Sequence, residues 1–361
     1  MARLGDVFTL QMGKTPARAK GEYWNNGNND WVSISDLSGY DKYVGVTKET
    51  ISELAVKESG IKPIPPNTVI MSFKLTIGKT AITTKPTYTN EAIMAFIPKG
   101  NYPVDPSYFY YCFSGRDWSK GTNRAVMGTT LNKATLSDAW VEIPPLSEQI
   151  EIATVLDKVC ELIALRKEQL AKLDQLVKSR FIELFDGKYE PKPLQAVCEE
   201  LFAGGDVKKD KSSDIQSKEY PYPIYTNGEK DNGLYGYTSI VRVSKEAVTI
   251  SGRGTIGFTC LRKEPFYPAV RLIVAIPKQE LVSGCYLQHF IQSKNYGGQG
   301  ASIPQLTVPM IKEEPIPVPP MELQNQFAAF VEQTNKSKLT IQQSLDKLEI
   351  LKKSLMQEYF G

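Results

Sequence analysis

The sequence is poor in the side chains that most catalytic and metal centres need. A single histidine, His289, serves the whole 361-residue chain, so any Ser-His-Asp or Cys-His centre would have to be built around it. It lies in Tyr286-Leu287-Gln288-His289-Phe290-Ile291, an apolar run that reads as helix, and a packing role is expected. The five cysteines (Cys112, Cys160, Cys198, Cys260 and Cys285) are odd in number, scattered and free of any CxxC pair. They read as reduced thiols rather than a disulfide framework or a zinc site. No apolar run reaches 18 residues, and the opening MARLGDVFTLQMGK lacks the apolar segment of a secretion signal. A soluble, cytoplasmic protein with no membrane association is expected.

Nucleotide and methyl-donor signatures are also missing. Gly78-Lys79-Thr80 has the form of the end of a phosphate loop, but the glycine required five positions earlier is Phe73. There is no Asn/Asp-Pro-Pro-Tyr tetrapeptide and no glycine-rich turn after a first strand. Asp186, Glu190 and Lys192 have the spacing of a metal-dependent nuclease string, yet they fall in a linker rather than on paired strands. No metal ligands, catalytic residues or bound cofactors are expected.

What the chain does have is an internal repeat. Pro144-Pro145-Leu146, with Gln149 and Ala153, recurs 175 residues on as Pro319-Pro320-Met321, with Gln324 and Ala328. At that offset Leu170, Leu173, Leu176, Lys178, Glu183 and Phe185 meet Leu345, Leu348, Leu351, Lys353, Glu358 and Phe360, without a gap over roughly forty residues. Upstream, the stretch from Ser72 through Thr76-Ile77-Gly78 to Thr80 echoes Ser251 through Thr255-Ile256-Gly257 to Thr259, and Ile97-Pro98-Lys99 echoes Ile276-Pro277-Lys278, both at an offset of 179.

The two repeated tracts carry apolar residues on alternating four-and-three spacing. In the first these are Ile152, Leu156, Val159, Ile163, Leu170, Leu173, Val177 and Leu184. In the second they are Phe327, Val331, Ile341, Leu345, Leu348, Leu355 and Tyr359. This spacing predicts two long helices packed along a seam. Ser147 is the expected N-cap of the first, and Gly187 and Gly361 follow their last turns. At about 1.5 Å per residue a 39-residue helix is about 58 Å long, and neither helix would be stable alone. From heptads alone, a dimerising coiled coil and an intramolecular spacer both remain open. The order globular unit, helix, globular unit, helix favours the spacer.

The remaining sequence reads as mixed α/β, with strands at Thr68–Phe73 and Ala247–Ile250 between Gly- and Asn-rich loops. Charge separates the two parts. Residues 147–185 and 321–360 hold 11 Lys/Arg against 12 Asp/Glu, whereas the rest holds 32 against 28. The basic excess therefore lies in the globular units, whose loops carry the donors that suit phosphates and base edges. The candidate DNA-contacting residues are Lys14, Lys74, Lys79, Asn123, Arg124, Asn227, Arg253, Gln299 and Gln305. Lys74 and Arg253 are the sharpest pair, both basic at the same place in the repeat before Thr-Ile-Gly.

IPPLSEQI (143–150), LIALRKEQLAKLD (162–174) and KSRFIELF (178–185) together resemble the central conserved region of type I restriction-modification specificity subunits. The second copy is similar to their C-terminal conserved region, and Leu4-Gly5-Asp6-Val7 to the start of their first target recognition domain. The second unit departs by beginning Leu194-Gln195-Ala196-Val197, and its helix has Asn325 and Thr334 at apolar positions. The resemblance implies a pseudo-two-fold molecule of four segments. A first recognition domain (1–143) is followed by a first helix (144–186), a second recognition domain (187–318) and a second helix (319–361). The helices would be antiparallel and form an intramolecular coiled coil. It further implies a reader of a bipartite, asymmetric site in double-stranded DNA, with no chemistry of its own. Two modification subunits would supply S-adenosylmethionine-dependent adenine methylation, and two motor-nuclease subunits ATP- and Mg-dependent translocation and cleavage. A targeting fragment of a single-chain restriction–methylation enzyme and a coiled-coil scaffold without DNA binding are the rival readings.

Overall fold

The computed structural model describes the chain except residues 25–26, 75, 119–123, 126–127, 130, 187–188, 295 and 297–304, and except the side chains at 124–125, 128–129 and 209. Two compact units are formed. Unit 1 comprises Met1–Arg166 with Ser344–Gly361, and unit 2 comprises Lys167–Gln343.

Both units are built on the same antiparallel sheet. In unit 1 the strands β1 (Phe8–Met12), β2 (Val69–Ser72), β3 (Thr80–Ile82) and β4 (Ile93–Pro98) lie in the order β1-β4-β2-β3. In unit 2 the strands β5 (Cys198–Ala203), β6 (Ala247–Ile250), β7 (Thr259–Arg262) and β8 (Ile273–Pro277) repeat it as β5-β8-β6-β7. The central strands read as unbroken apolar runs because both faces of each sheet are covered. Val69 and Met71 enter one core while Ile70 enters another. In the same way Val248 and Ile250 part from Ala247. A second, smaller sheet in each unit contains one parallel pair, Trp31–Val32 with Tyr88–Thr89 and Ile224–Tyr225 with Tyr267–Pro268.

Each unit opens alike. Leu4–Val7 and Leu194–Val197 are single helical turns, each following a short strand that pairs antiparallel just ahead of a long helix. The departure of Leu194-Gln195-Ala196-Val197 from the first copy leaves this element unchanged, because its buried positions, Leu and Val, are kept.

A short helix packs on each large sheet. In unit 1, α1 (Pro106–Gly115) is capped by the Asp105 carboxylate, which accepts from Tyr108 N. Then comes the long α2 (Leu146–Phe185). In unit 2, α3 (Gly284–Ser293) is capped by the Ser283 hydroxyl, and the long α4 (Met321–Phe360) follows. The long helices span 40 residues each. They are rich in Leu, Glu, Lys and Gln, which lose little freedom in a helix. Helix α2 begins at Leu146, so Ser147 stands in its first turn and is not the cap expected from the sequence. The Pro145 carbonyl already accepts from Glu148 N and Gln149 N, which moves the start of the helix forward.

In each unit the stretches of α2 and α4 run antiparallel. In unit 1 Arg166 Nε donates to Ser344 Oγ (3.3 Å), while Ile152 packs in the core that Tyr359 and Phe360 cover. In unit 2 Lys338 pairs with Asp174, and Phe181 meets Phe327 edge-on at 5.4 Å between ring centroids. Every apolar residue read from the four-and-three spacing is buried or half-buried, whereas Leu176 and Leu351, outside it, are exposed. Thr334 fits the seam because its hydroxyl donates to Phe330 O.

Gln149 and Gln324 are fully buried and tie each long helix to its globular unit with the same three hydrogen bonds. Gln149 Oε1 accepts from Asp105 N, and its Nε2 donates to Pro103 O and Pro144 O. Gln324 Oε1 accepts from Ser283 N, and its Nε2 donates to Leu281 O and Pro319 O. Both acceptances are at N-cap residues, so each glutamine fixes a long helix against the start of the short one. No described helix is long and apolar enough to cross a membrane.

Candidate nucleic-acid interface

The echo between Ser72–Thr80 and Ser251–Thr259 is a shared turn. Ser72 N donates to Lys79 O and Gly78 N to Ser72 O; Ser251 N donates to Phe258 O and Gly257 N to Ser251 O. Gly78 and Gly257 have φ of +87° and +81°, a conformation that excludes most side chains. An aromatic ring closes each turn, Trp118 in unit 1 and Tyr296 in unit 2. With the backbone fixed, what differs between the units is what the turn displays.

In unit 2 three widely separated candidates converge. Asn227 staples two loops: its Oδ1 accepts from Gly252 N (2.7 Å) and its Nδ2 donates to Val270 O (3.0 Å). Gly252 is needed there, since a Cβ would lie 2.7 Å from Leu306 O and 3.0 Å from Arg271 O. Next to these staples, Arg253 donates from Nε and Nη2 to Gln305 Oε1 (3.3 and 2.9 Å). Arg271 donates from Nη1 to the same oxygen (3.0 Å). Both arginines are exposed, and among the described residues neither guanidinium meets a carboxylate. The result is two positive charges organised around one neutral acceptor, an anion- or acceptor-seeking surface.

Unit 1 is arranged differently. Lys79 is exposed beside the turn that its own backbone closes, and Lys74 is half-buried with its ammonium 5.3 Å from the Phe73 ring centroid. Lys14, just beyond β1, is exposed; its ammonium donates to Ser59 O, and its carbonyl accepts from Trp31 Nε1. These three lysines share no hydrogen-bond partner among the described residues. Asn123 and Gln299 lie outside the described residues. Arg124 lies on the strand Arg124–Ala125, paired with Gly128–Thr129, and its side chain is outside them too. Arg18, which the sequence reading passed over, stacks over Trp24 at 3.7 Å but is already neutralised by Glu49.

His289 sits on α3, its ring stacked on Phe181 and edge-on to Phe327. Burial lowers its pKa. Burial also pushes the neighbouring Cys285 thiol up to about 11, so this pair, 3.9 Å apart, stays neutral. That is the reverse of the thiolate–imidazolium state that a cysteine nucleophile needs.

The sequence profile of the type I restriction modification DNA specificity domain matches residues 1–175 and again 187–350. The chain belongs to this family. The resemblance drawn from the repeated helix motif is thereby borne out, and the two matches are the two halves of the internal repeat. The type I restriction enzyme EcoprrI specificity subunit of Escherichia coli is 26% identical over 354 residues, 91% of this chain and 86% of that one. A putative type I specificity subunit of Mycoplasma pneumoniae is 31% identical over 208 residues, 55% of this chain and 56% of that one. Two solved structures share the fold at 16% identity. The crystal structure of the type I restriction-modification S subunit from M. genitalium has a TM-score of 0.59, covering 100% of this chain and 95% of that one. A chain from a study of complex assembly and conformational transition in the type I system has a TM-score of 0.64, covering 99% and 96%. Tandem mixed α/β domains are thus common to the family and to this chain.

Proposed function

We propose that this specificity-family chain reads a bipartite, asymmetric site in double-stranded DNA, one half with each globular unit. The observation that carries the proposal is one backbone frame built twice with different side chains on it: the same sheet order and Ser–Gly turn present lysines in unit 1 and an arginine pair in unit 2. Two copies of a frame with different displays suit two different half-sites. The antiparallel α2 and α4 act as an intramolecular coiled-coil spacer in a pseudo-two-fold molecule, and the buried glutamines hold each unit to it.

In this scheme lysines and arginines of the turns meet phosphates, while arginine and amide side chains read base edges. The chain itself is the non-catalytic address. Two modification subunits carry out S-adenosylmethionine-dependent adenine methylation. Two motor-nuclease subunits hold ATP and Mg and carry out restriction, the whole assembly working in the cytoplasm. A DNA pull-down tests the reading. The full chain with its modification subunits should retain duplexes sharing a split motif, whereas a coiled-coil scaffold would retain none. Methyl transfer or cleavage by the purified chain alone would contradict the non-catalytic role.

A further inference from the structure

Arg271 has a backbone conformation that an arginine rarely adopts. It is an exposed, non-glycine residue with φ of +66°, a conformation that costs a side-chain-bearing residue free energy and is retained where surroundings impose it. The imposing contacts are Arg271 N to Gly204 O (3.3 Å) and the Asn227 staple on the preceding Val270. Together they aim Arg271 at the oxygen that also holds Arg253.

Donor arithmetic indicates what this arrangement can take. A guanidinium has five N–H donors. Among the described residues Arg253 commits Nε–H and one Nη2–H to Gln305, whereas Arg271 commits only one Nη1–H. The Nε/Nη2 edge of Arg271 is therefore left, among the described residues, as an intact two-donor fork, the edge that matches the paired acceptors O6 and N7 of guanine. Orientation separates this from a phosphate contact. A phosphate needs charge nearby and tolerates a swinging side chain, whereas a base edge needs the guanidinium plane held still. Gln305 supplies that restraint: its carbonyl oxygen accepts from both arginines at once, which makes it a positioning residue.

We propose that Arg271, steadied with Arg253 by Gln305, reads a guanine in the half-site of the second unit. The proposal rests on the DNA-reading function above. Its test selects duplexes from a randomised pool with the full chain assembled with its modification subunits, and then measures binding to the selected site over a range of salt. The wild-type consensus should contain a guanine that Arg271→Lys and Arg271→Asn both cease to prefer, by roughly tenfold or more, with the other half-site unchanged. Asparagine accepts positive φ, so the second variant keeps the loop, and an unchanged melting temperature verifies this. Gln305→Leu should weaken the same preference while leaving the salt slope unchanged. If Arg271→Lys keeps the guanine, or if Arg271→Asn weakens all sequences evenly and lowers the log–log salt slope by about 0.9, the residue is a phosphate contact and the proposal is overturned. A wild-type assembly that selects no sequence overturns the underlying reading as well. A selected consensus that no Arg271 variant alters overturns this proposal alone.

Discussion

Replacing Gln149 by Leu keeps the side-chain bulk but strands three part-buried backbone groups: Asp105 N–H, Pro103 C=O and Pro144 C=O. A stranded buried group costs about 1–3 kcal/mol, and these sites are only partly closed to water, so the low end applies to each. The expected loss is about 3 kcal/mol. The assay is unusually selective, because all four tryptophans (Trp24, Trp31, Trp118 and Trp140) lie in unit 1. The tryptophan-fluorescence midpoint in urea should therefore fall by about 1 M, given slopes of roughly 3 kcal/mol per molar for a unit of this size. Gln324→Leu strands the matching groups in unit 2. It should shift the far-UV circular dichroism transition more than the tryptophan one. A Gln149→Leu loss below about 0.5 kcal/mol would refute the reasoning, since it would mean that water or rearranged backbone replaces the clamp at no cost.

Three further outcomes follow from named contacts. Burial lowers the His289 pKa below its ordinary 6.5, so its neutral form contributes stability that is present above 6.5 and lost as the pH falls through the lowered value; His289→Gln should flatten that acid-side loss in a pH series of urea melts. Lys74→Ala should reduce the log–log salt slope of DNA binding by about 0.9 if the ammonium meets a phosphate, and an unchanged slope would make it a solvated strand end. Inserting one heptad into both α2 and α4 keeps the seam in phase and lengthens the spacer by roughly 10 Å, or about three base pairs; selected sites should show half-sites further apart, and retained original spacing in a folded variant would discount the spacer role.

The long helices were legible residue by residue because a seam imposes a periodic demand on sequence. Ile152 to Leu184 and Phe327 to Tyr359 could be assigned to one face with no knowledge of their partners, and all of them are buried or half-buried. The shared turn was legible from Thr-Ile-Gly because its positive-φ glycine leaves few alternatives. The arginine pair was only partly legible. Asn227, Arg253 and Gln305 stood out as polar loop residues, but Arg271 carries no local signal, since its role arises from a backbone conformation imposed by Gly204 and Val270. Gln149 and Gln324 were visible as a repeated identity. That they clamp the N-caps of α1 and α3 depends on tertiary contacts across 44 and 41 residues, which no spacing rule encodes.

The division of labour between the units can be tested most directly by sequencing the methylated positions in host DNA before and after residues 1–143 are exchanged for those of a relative with a different site. The account predicts a split methylated motif in which one half changes while the other half and the spacing between them persist. A motif that changes in both halves, or one that is continuous rather than split, would contradict it.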